Sequence, residues 1–340
     1  MQSPRRHPER RADAARGHKV RATPFESREI IMVPARTPLP NYRRDVASAL
    51  ALFVAAAAFA FSARAQDAAY RASVEKWRQA YEADLKSDTG WLTISGLFWL
   101  REGENRFGSD PSNAIVLPAG SAPADAGYFE FHAGKTVAHI KPGVPVTLKG
   151  KPADNVELHP DLPGDRLVLG DLALWVHASG ERDAIRLQDK NGKLRRNFAG
   201  LHWFPIDESY RVTARYVPYG QPKQVAVQNL AGDALALPIS GYVVFTLHGQ
   251  ELRLEAGSDN SGALSFVFRD LTSAKETYPA SRFLDTDPVK DGAVILDFNK
   301  AYNPPCAYNP YTTCPLPPSE NRLNVRIAAG ERLYKHDHGT

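Results

Sequence analysis

The chain has 340 residues, 43% of them hydrophobic and 24% charged, with a formal net charge of +4. That positive balance is local: residues 1–65 hold 12 Lys+Arg against 5 Asp+Glu, leaving 30 basic and 33 acidic residues in the other 275, a net of −3. The body of the chain therefore lacks the basic footprint of a nucleic-acid binder, yet is long enough for one large or two ordinary domains.

Residues 1–31 are Arg-rich and carry no apolar period that could build a core, so they read as an extension ahead of a start at Met32. From Met32 the chain has the layout of a secretory signal. Arg36, Arg43 and Arg44 precede the 16-residue apolar run Val46–Phe61, and Ala63-Arg64-Ala65 closes it with small residues. Cleavage before Gln66 is expected, giving a periplasmic or secreted protein without a stable membrane anchor. The competing reading, an uncleaved anchor, asks more length than the run offers.

Residues 66–90 form an N-terminal helical segment, with the amphipathic helix itself over 67–87. Tyr70, Val74, Trp77, Tyr81 and Leu85 fall on one face, Asp67 stands where a cap would, and Glu82 precedes Lys86 by four. Residues 91–190 then break into short alternating runs separated by Gly- and Pro-containing turns. The strands expected are Tyr128–His132, Thr136–Ile140, Val144–Leu148, Arg166–Leu169, Leu172–His177 and Ile185–Gln188, the pattern of an antiparallel sandwich. The segments "NRFGSDPSNAIVLP", "YFEFHAGKTVAHI", "VPVTLKGKP" and "LPGDRLVLGDLALWVH" resemble a forkhead-associated (FHA) domain. The resemblance implies a β-sandwich whose loops read phosphothreonine. Ser109 stands where that family's phosphate-binding arginine is expected, so the resemblance implies a degenerate scaffold.

Residues 195–334 read as a second antiparallel β unit. Its expected strands are Arg211–Val217, Gln224–Val227, Gly241–Leu247, Glu251–Ala256, Leu264–Arg269, Ala293–Phe298 and Leu323–Ala328, with no helical period between them for a parallel sheet. Residues 335–340 read as a loose tail. The fold expected is thus mainly β: an FHA-like sandwich, then a second antiparallel unit, with one N-terminal amphipathic helix.

The densest chemistry lies in the loop 297–322, opening "DFNKAYNPPCAYNPYTTCPLPP". Cys306 and Cys314 stand with seven residues between them, and in an oxidising compartment they pair. The chain-entropy account gives so short a loop about 2.5 kcal/mol of stabilisation. Nucleophile-elbow, phosphate-loop, dinucleotide and His-Glu-x-x-His signatures are absent from the sequence. What remains is a polar set at strand ends: Asp270, Glu276, Tyr278 and Arg282 from one segment, and Asp297, Asn299, Asn303 and Asn321 from the loop. Tyr278, Arg282, Asn299, Asn303 and Asn321 are candidates to bind a ligand, while Asp270 and Asp297 are candidates for an acid–base pair. The competing structural reading is that these side chains cap turns. A calcium site at Asp297 and Asn299 is a further alternative; otherwise no metal and no cofactor is expected.

"GWLTISGLFWLREGENRFGSD", "FAGLHWFP", "ETYPASRFL" and above all "DFNKAYNPPCAYNPYTTCPLPPSENRLNVRIAAGE" resemble the bacterial and archaeal family known as domain of unknown function 1684. The resemblance implies no particular activity, but it makes the loop 297–322 a family signature. The leading expectation is an exported protein binding a small polar or carbohydrate-like ligand at that loop. The alternatives are a hydrolase using Asp270 and Asp297, or an interaction scaffold built on the FHA-like half, with the protein partner unspecified.

Overall fold

A computed structural model describes residues 42–334; the extension 1–31, Arg36 and the tail 335–340 lie outside the described residues. By its contacts the chain divides into Met1–Phe59 and Ala60–Thr340. The described part of the first unit is helical, and all the β structure belongs to the second. Among the described residues no helix is long and apolar enough to cross a membrane.

The helix α1 (Tyr42–Leu85) contains the expected helix but begins ahead of the apolar run and continues through it. That run has no Gly or Pro to stop it. Asp67 therefore lies inside the helix, not at its cap, and pairs with Arg71 at 2.6 Å. Glu82 does not pair with Lys86; it accepts the Leu201 N–H at 3.3 Å. The face carrying Val74, Arg78 and Leu85 is buried, and Tyr70, Trp77 and Tyr81 are half-buried beside it.

The first β region has eleven strands: β1 (Ile94–Trp99), β2 (Gly103–Gly108), β3 (Ile115–Val116), β4 (Gly127–His132), β5 (Lys135–Ile140), β6 (Thr147–Leu148), β7 (Lys151–Pro152), β8 (Asn155–Leu158), β9 (Leu167–Leu169), β10 (Leu172–Ser179) and β11 (Arg182–Asp189). They form two sheets, ordered β1-β11-β10-β9-β6-β7 and β3-β2-β4-β5-β8, with every pairing antiparallel except β2 with β3. Phe107, Phe129, Leu174, Val176, Ile185 and Leu187 are among the side chains filling the core between them. Of the expected strands, Val144–Leu148 shrinks to its last two residues. Strands β1 and β2, one in each sheet and not expected from the sequence, occupy "ISGLFW" and "GENRFG".

The second region is one six-stranded antiparallel sheet, ordered β16-β15-β14-β13-β12-β17. Its strands are β12 (Arg211–Gln228), β13 (Ala234–Leu247), β14 (Gln250–Ser258), β15 (Ala263–Phe268), β16 (Arg282–Pro288) and β17 (Ala293–Asp297). The runs 211–217 and 224–227, expected as separate strands, are one strand whose register against β13 shifts between Pro218 and Lys223. The expected strand Leu323–Ala328 is not in the sheet. Leu323, Val325 and Ile327 alternate into the core, as a strand's would, but the segment joins no ladder beyond an isolated bridge at Arg322. Its backbone is held by neighbouring loops instead, with Leu323 N–H donating to Arg269 O and Leu271 N–H to Val325 O.

Candidate functional site

The signature loop follows β17 and lies between the two β regions. Cys306 and Cys314 are disulfide-bonded, with Cα atoms 6.1 Å apart. Within the ring they close, Asn309 Nδ2 donates to the carbonyls of Trp91 (3.0 Å) and Ile94 (2.7 Å), where the sandwich begins. Thr313 Oγ1 meets Nε2 of His177 on β10 at 2.9 Å, and Tyr278 gives its hydroxyl to the Cys306 carbonyl at 3.1 Å. The staple therefore holds a brace that touches both sheets.

Most of the polar residues singled out by sequence are engaged inside this framework. Arg282 is fully buried: Nη1 reaches Asp270 Oδ2 at 2.7 Å and the Ile327 carbonyl at 3.1 Å, while Nη2 donates to the Ala329 carbonyl. Asp270 Oδ1 also accepts the Thr272 N–H at 2.7 Å. This pair anchors the extended segment after Leu323 to the sheet. Asp297 belongs to a different cluster. Its Oδ1 accepts the Tyr70 hydroxyl at 2.8 Å and the Asn299 N–H at 3.2 Å, and Asn299 Nδ2 donates to the Tyr70 oxygen and the Asp207 carbonyl. Burial, reinforced by Asp297, raises the Tyr70 phenol well above its ordinary range. Asn321 lies between β14 and β15, accepting the Glu255 N–H and donating to the Glu255 and Val267 carbonyls. Glu276 forms a two-pronged ion pair with Arg326 at the surface.

Asn303 is buried against Glu331, a residue not singled out by sequence. The Asn303 N–H and Nδ2 each donate to the Glu331 carboxylate at 2.8 Å, and the Tyr308 hydroxyl adds a bond at 2.6 Å. Glu331 is 1% exposed, and burial pushes its carboxyl up to about 8 against those bonds. Gly330 before it has φ +78°, and a Cβ there would stand 2.3 Å from the Ala301 carbonyl oxygen, so only glycine fits this turn.

Asp270 and Asp297 thus sit in separate clusters, and the placement gives no support to their acting as a pair. Nor does the calcium reading gain support: the Asn299 side-chain oxygen is taken by the Asp207 N–H at 3.0 Å. Among the described residues no group of three or more His, Cys, Asp or Glu could hold a metal ion.

The open space lies beside the loop. A cleft of about 560 Å³ is bounded by α1 through Trp77 and Tyr81, by the sandwich through Trp91, His177 and Arg186, and by the second sheet through Phe283, Asp285 and Tyr302. Pro305, Thr312, Thr313, Cys314 and Pro315 of the loop complete the wall. Tyr81 and Tyr302 stand with ring centroids 4.9 Å apart, and Trp77 stacks on Tyr81 at 5.4 Å. Tyr302 donates its hydroxyl to Asp285 Oδ2 at 2.6 Å. Asp285 is solvent-accessible on the rim, yet crowding by the cleft wall raises its carboxyl above the usual range, helped by Asp259 and opposed by Tyr302. Of the sequence candidates only Cys314 lines this cleft.

Arg186 is the other residue that sequence reading passed over. Along β10 and β11, Leu174, Val176, Ile185 and Leu187 point into the sandwich core, so Trp175, His177, Arg186 and Gln188 lie on the opposite face. On an open sheet those would be solvated, but Arg186 is only 6% exposed because the second β region and its loop cover this face.

No curated protein matches the chain. Among solved structures, an uncharacterised protein of Haloarcula marismortui, determined by solution NMR, shares 35% identity with it. That match covers 41% of this chain and 78% of the other, with a TM-score of 0.35. Two FHA-domain structures match at 17% identity and a TM-score of 0.20. One concerns phosphothreonine-dependent FHA interactions and the other an FHA domain complexed with an intracellular domain; each covers 27% of this chain, and 92% and 97% of the respective FHA chain. A family model described as "Protein of unknown function (DUF1684)" matches residues 196–332, which include the braced loop, Arg282 and Glu331. Through residues 196–332 the chain carries the DUF1684 domain, whose description assigns it no function.

Proposed function

We propose that the chain is an exported protein that binds a small polar, carbohydrate-like ligand in the cleft beside its disulfide-braced loop. The observation that carries this reading is the cleft's composition. Aromatic faces from three elements enclose a volume of about 560 Å³, within the range of small-molecule sites, while Asp84 and Asp285 offer acceptors at its edge. A sugar ring presents apolar C–H faces to such walls and hydroxyls to such carboxylates. The signature loop contributes one wall and not, as its sequence suggests, the polar residues Asp297, Asn299 and Asn303. Export is supported by the disulfide, which persists in oxidising compartments, and by the signal-like stretch of residues 32–65.

Two measurements test this. A thermal-shift screen of hexoses, hexuronic acids and amino sugars should give a stabilising hit, and calorimetry should show that hit lost in Trp77→Ala. A screen without any stabilising sugar removes the carbohydrate reading. N-terminal sequencing of the protein from an expressing bacterium should read from Gln66; a mature form that keeps residues 32–65 overturns the export assignment, and one beginning before Met32 overturns the start at Met32.

A further inference from the structure

Arg186 is a buried cation without a counter-ion. Its Nε is shut off from solvent with no hydrogen-bond partner, and among the described residues the guanidinium makes no hydrogen bond or ion pair. Its nearest organised contact is the Trp91 ring, with Cζ 5.9 Å from the centroid. Its neighbours differ: Arg182 is bound to Asp233 by two bonds of 2.8 Å, and Arg166 stacks on Trp175 at 4.2 Å. Charges taken out of water are ordinarily paired, because leaving one unpaired is costly. Burial accordingly lowers the Arg186 pKa to about 10, with only the more distant Asp161 opposing it.

The side chain lines the cleft, so a counter-ion can reach it only from there. We infer that the ligand bound in this cleft is anionic, with a carboxylate seated on the Arg186 guanidinium, and belongs to the hexuronic-acid class. This rests on the carbohydrate reading above and narrows it.

A monoanion fits better than a phosphate dianion. Arg186 is the one unengaged cation of the cleft, since both His177 ring nitrogens are taken, Nδ1 by Asp161 and Nε2 by Thr313, each at 2.9 Å. Asp84 and Asp285 also line the cleft and would repel a second negative charge. A guanidinium matches a carboxylate with two parallel N–H bonds, leaving the ring hydroxyls to Asp84 and Asp285.

The test is calorimetric titration of the intact protein with glucuronate and galacturonate, glucose and galactose, and benzoate as a sugar-free acid. The same series is run on Arg186→Met and Arg186→Lys, with folding checked by circular dichroism. The expected result is a hexuronate preference of at least tenfold over the matching hexose, weakened by salt and abolished in Arg186→Met. Arg186→Lys should restore part of it. Equal affinity for acid and neutral sugar, or acid binding that survives Arg186→Met, overturns the inference and leaves the carbohydrate reading standing. Benzoate binding that needs Arg186 while no sugar binds removes the carbohydrate reading and keeps the anion site. No binding by any of the five, with no amino-sugar hit in the thermal-shift screen, overturns both.

Discussion

Arg282, at the start of β16 in the second sheet, and Arg186, in the cleft wall, are buried to a similar depth, and their surroundings differ in kind. Arg282 is paired: a carboxylate 2.7 Å away and two carbonyls take up both of its Nη groups, leaving only Nε without a partner, and what they join is the extended tail segment to β15 and β16. Arg186 has nothing comparable, although the sheet that carries it is equally well packed on its other face. Low exposure is therefore no guide to role. A buried charge with its counter-ion within the chain is architecture; one without it, facing a cavity, waits for a partner from outside.

The contrast has measurable consequences, and the largest lies at the paired site. Arg282→Ala leaves Asp270 buried and uncompensated, so urea denaturation should show a loss of about 3–5 kcal/mol. Replacing both members, Arg282→Met with Asp270→Leu, should recover most of that loss, because two apolar side chains need no counter-ion. A double variant as unstable as the single one would mean that the carbonyl contacts to Ile327 and Ala329, and not the pairing, hold this region.

Glu331 offers a second buried charge, tunable by pH. Its carboxyl lies at about 8 in the folded protein and near 4.5 when exposed, so the native state holds its proton longer than the unfolded state. The contribution is fully present below about pH 4.5 and disappears as pH rises through about 8, because the native state must then ionise a carboxyl that the unfolded chain has already ionised. Melting temperature should fall across that window by an amount equivalent to a few kcal/mol at most, and Glu331→Gln should flatten the slope. An unchanged slope in the variant assigns the pH dependence to other groups. The disulfide ranks next. Removing it with Cys306→Ser and Cys314→Ser should cost about 2.5 kcal/mol for a loop of this length, and should loosen the brace that forms one wall of the cleft.

How far the sequence foretells all this depends on what each residue's neighbours in sequence reveal. Alternation exposed strands such as Gly127–His132 and Leu172–Ser179 because their apolar positions face one core. The same alternation misled at Leu323–Ala328, since an extended segment buries every second residue whether or not a strand lies beside it. The two cysteines were legible because a single loop contains both. Asp270, Asp297, Asn299, Asn303 and Asn321 were legible as polar groups in an ordered place, but a carboxylate bonded to a neighbouring backbone looks the same in sequence as one held for a ligand. Arg186 was hidden for the opposite reason. In "DAIRLQD" it occupies the outward position of a half-buried strand, and only the packing of a second β region across that face makes it interior. Sites formed where two regions meet leave little trace in either one.

The smallest effect separates the two arginines most directly. Arg186→Met removes a guanidinium with no partner to strand, and methionine can fill much of the same space. Stability should stay within about 0.5 kcal/mol of the parent or rise, since the desolvation of a lone charge is relieved. Denaturation of Arg186→Met beside Arg282→Ala under identical conditions makes the comparison. If the cleft variant loses stability on the scale of the core variant, Arg186 is as structural as Arg282, and the cleft has no vacant cation to offer a ligand.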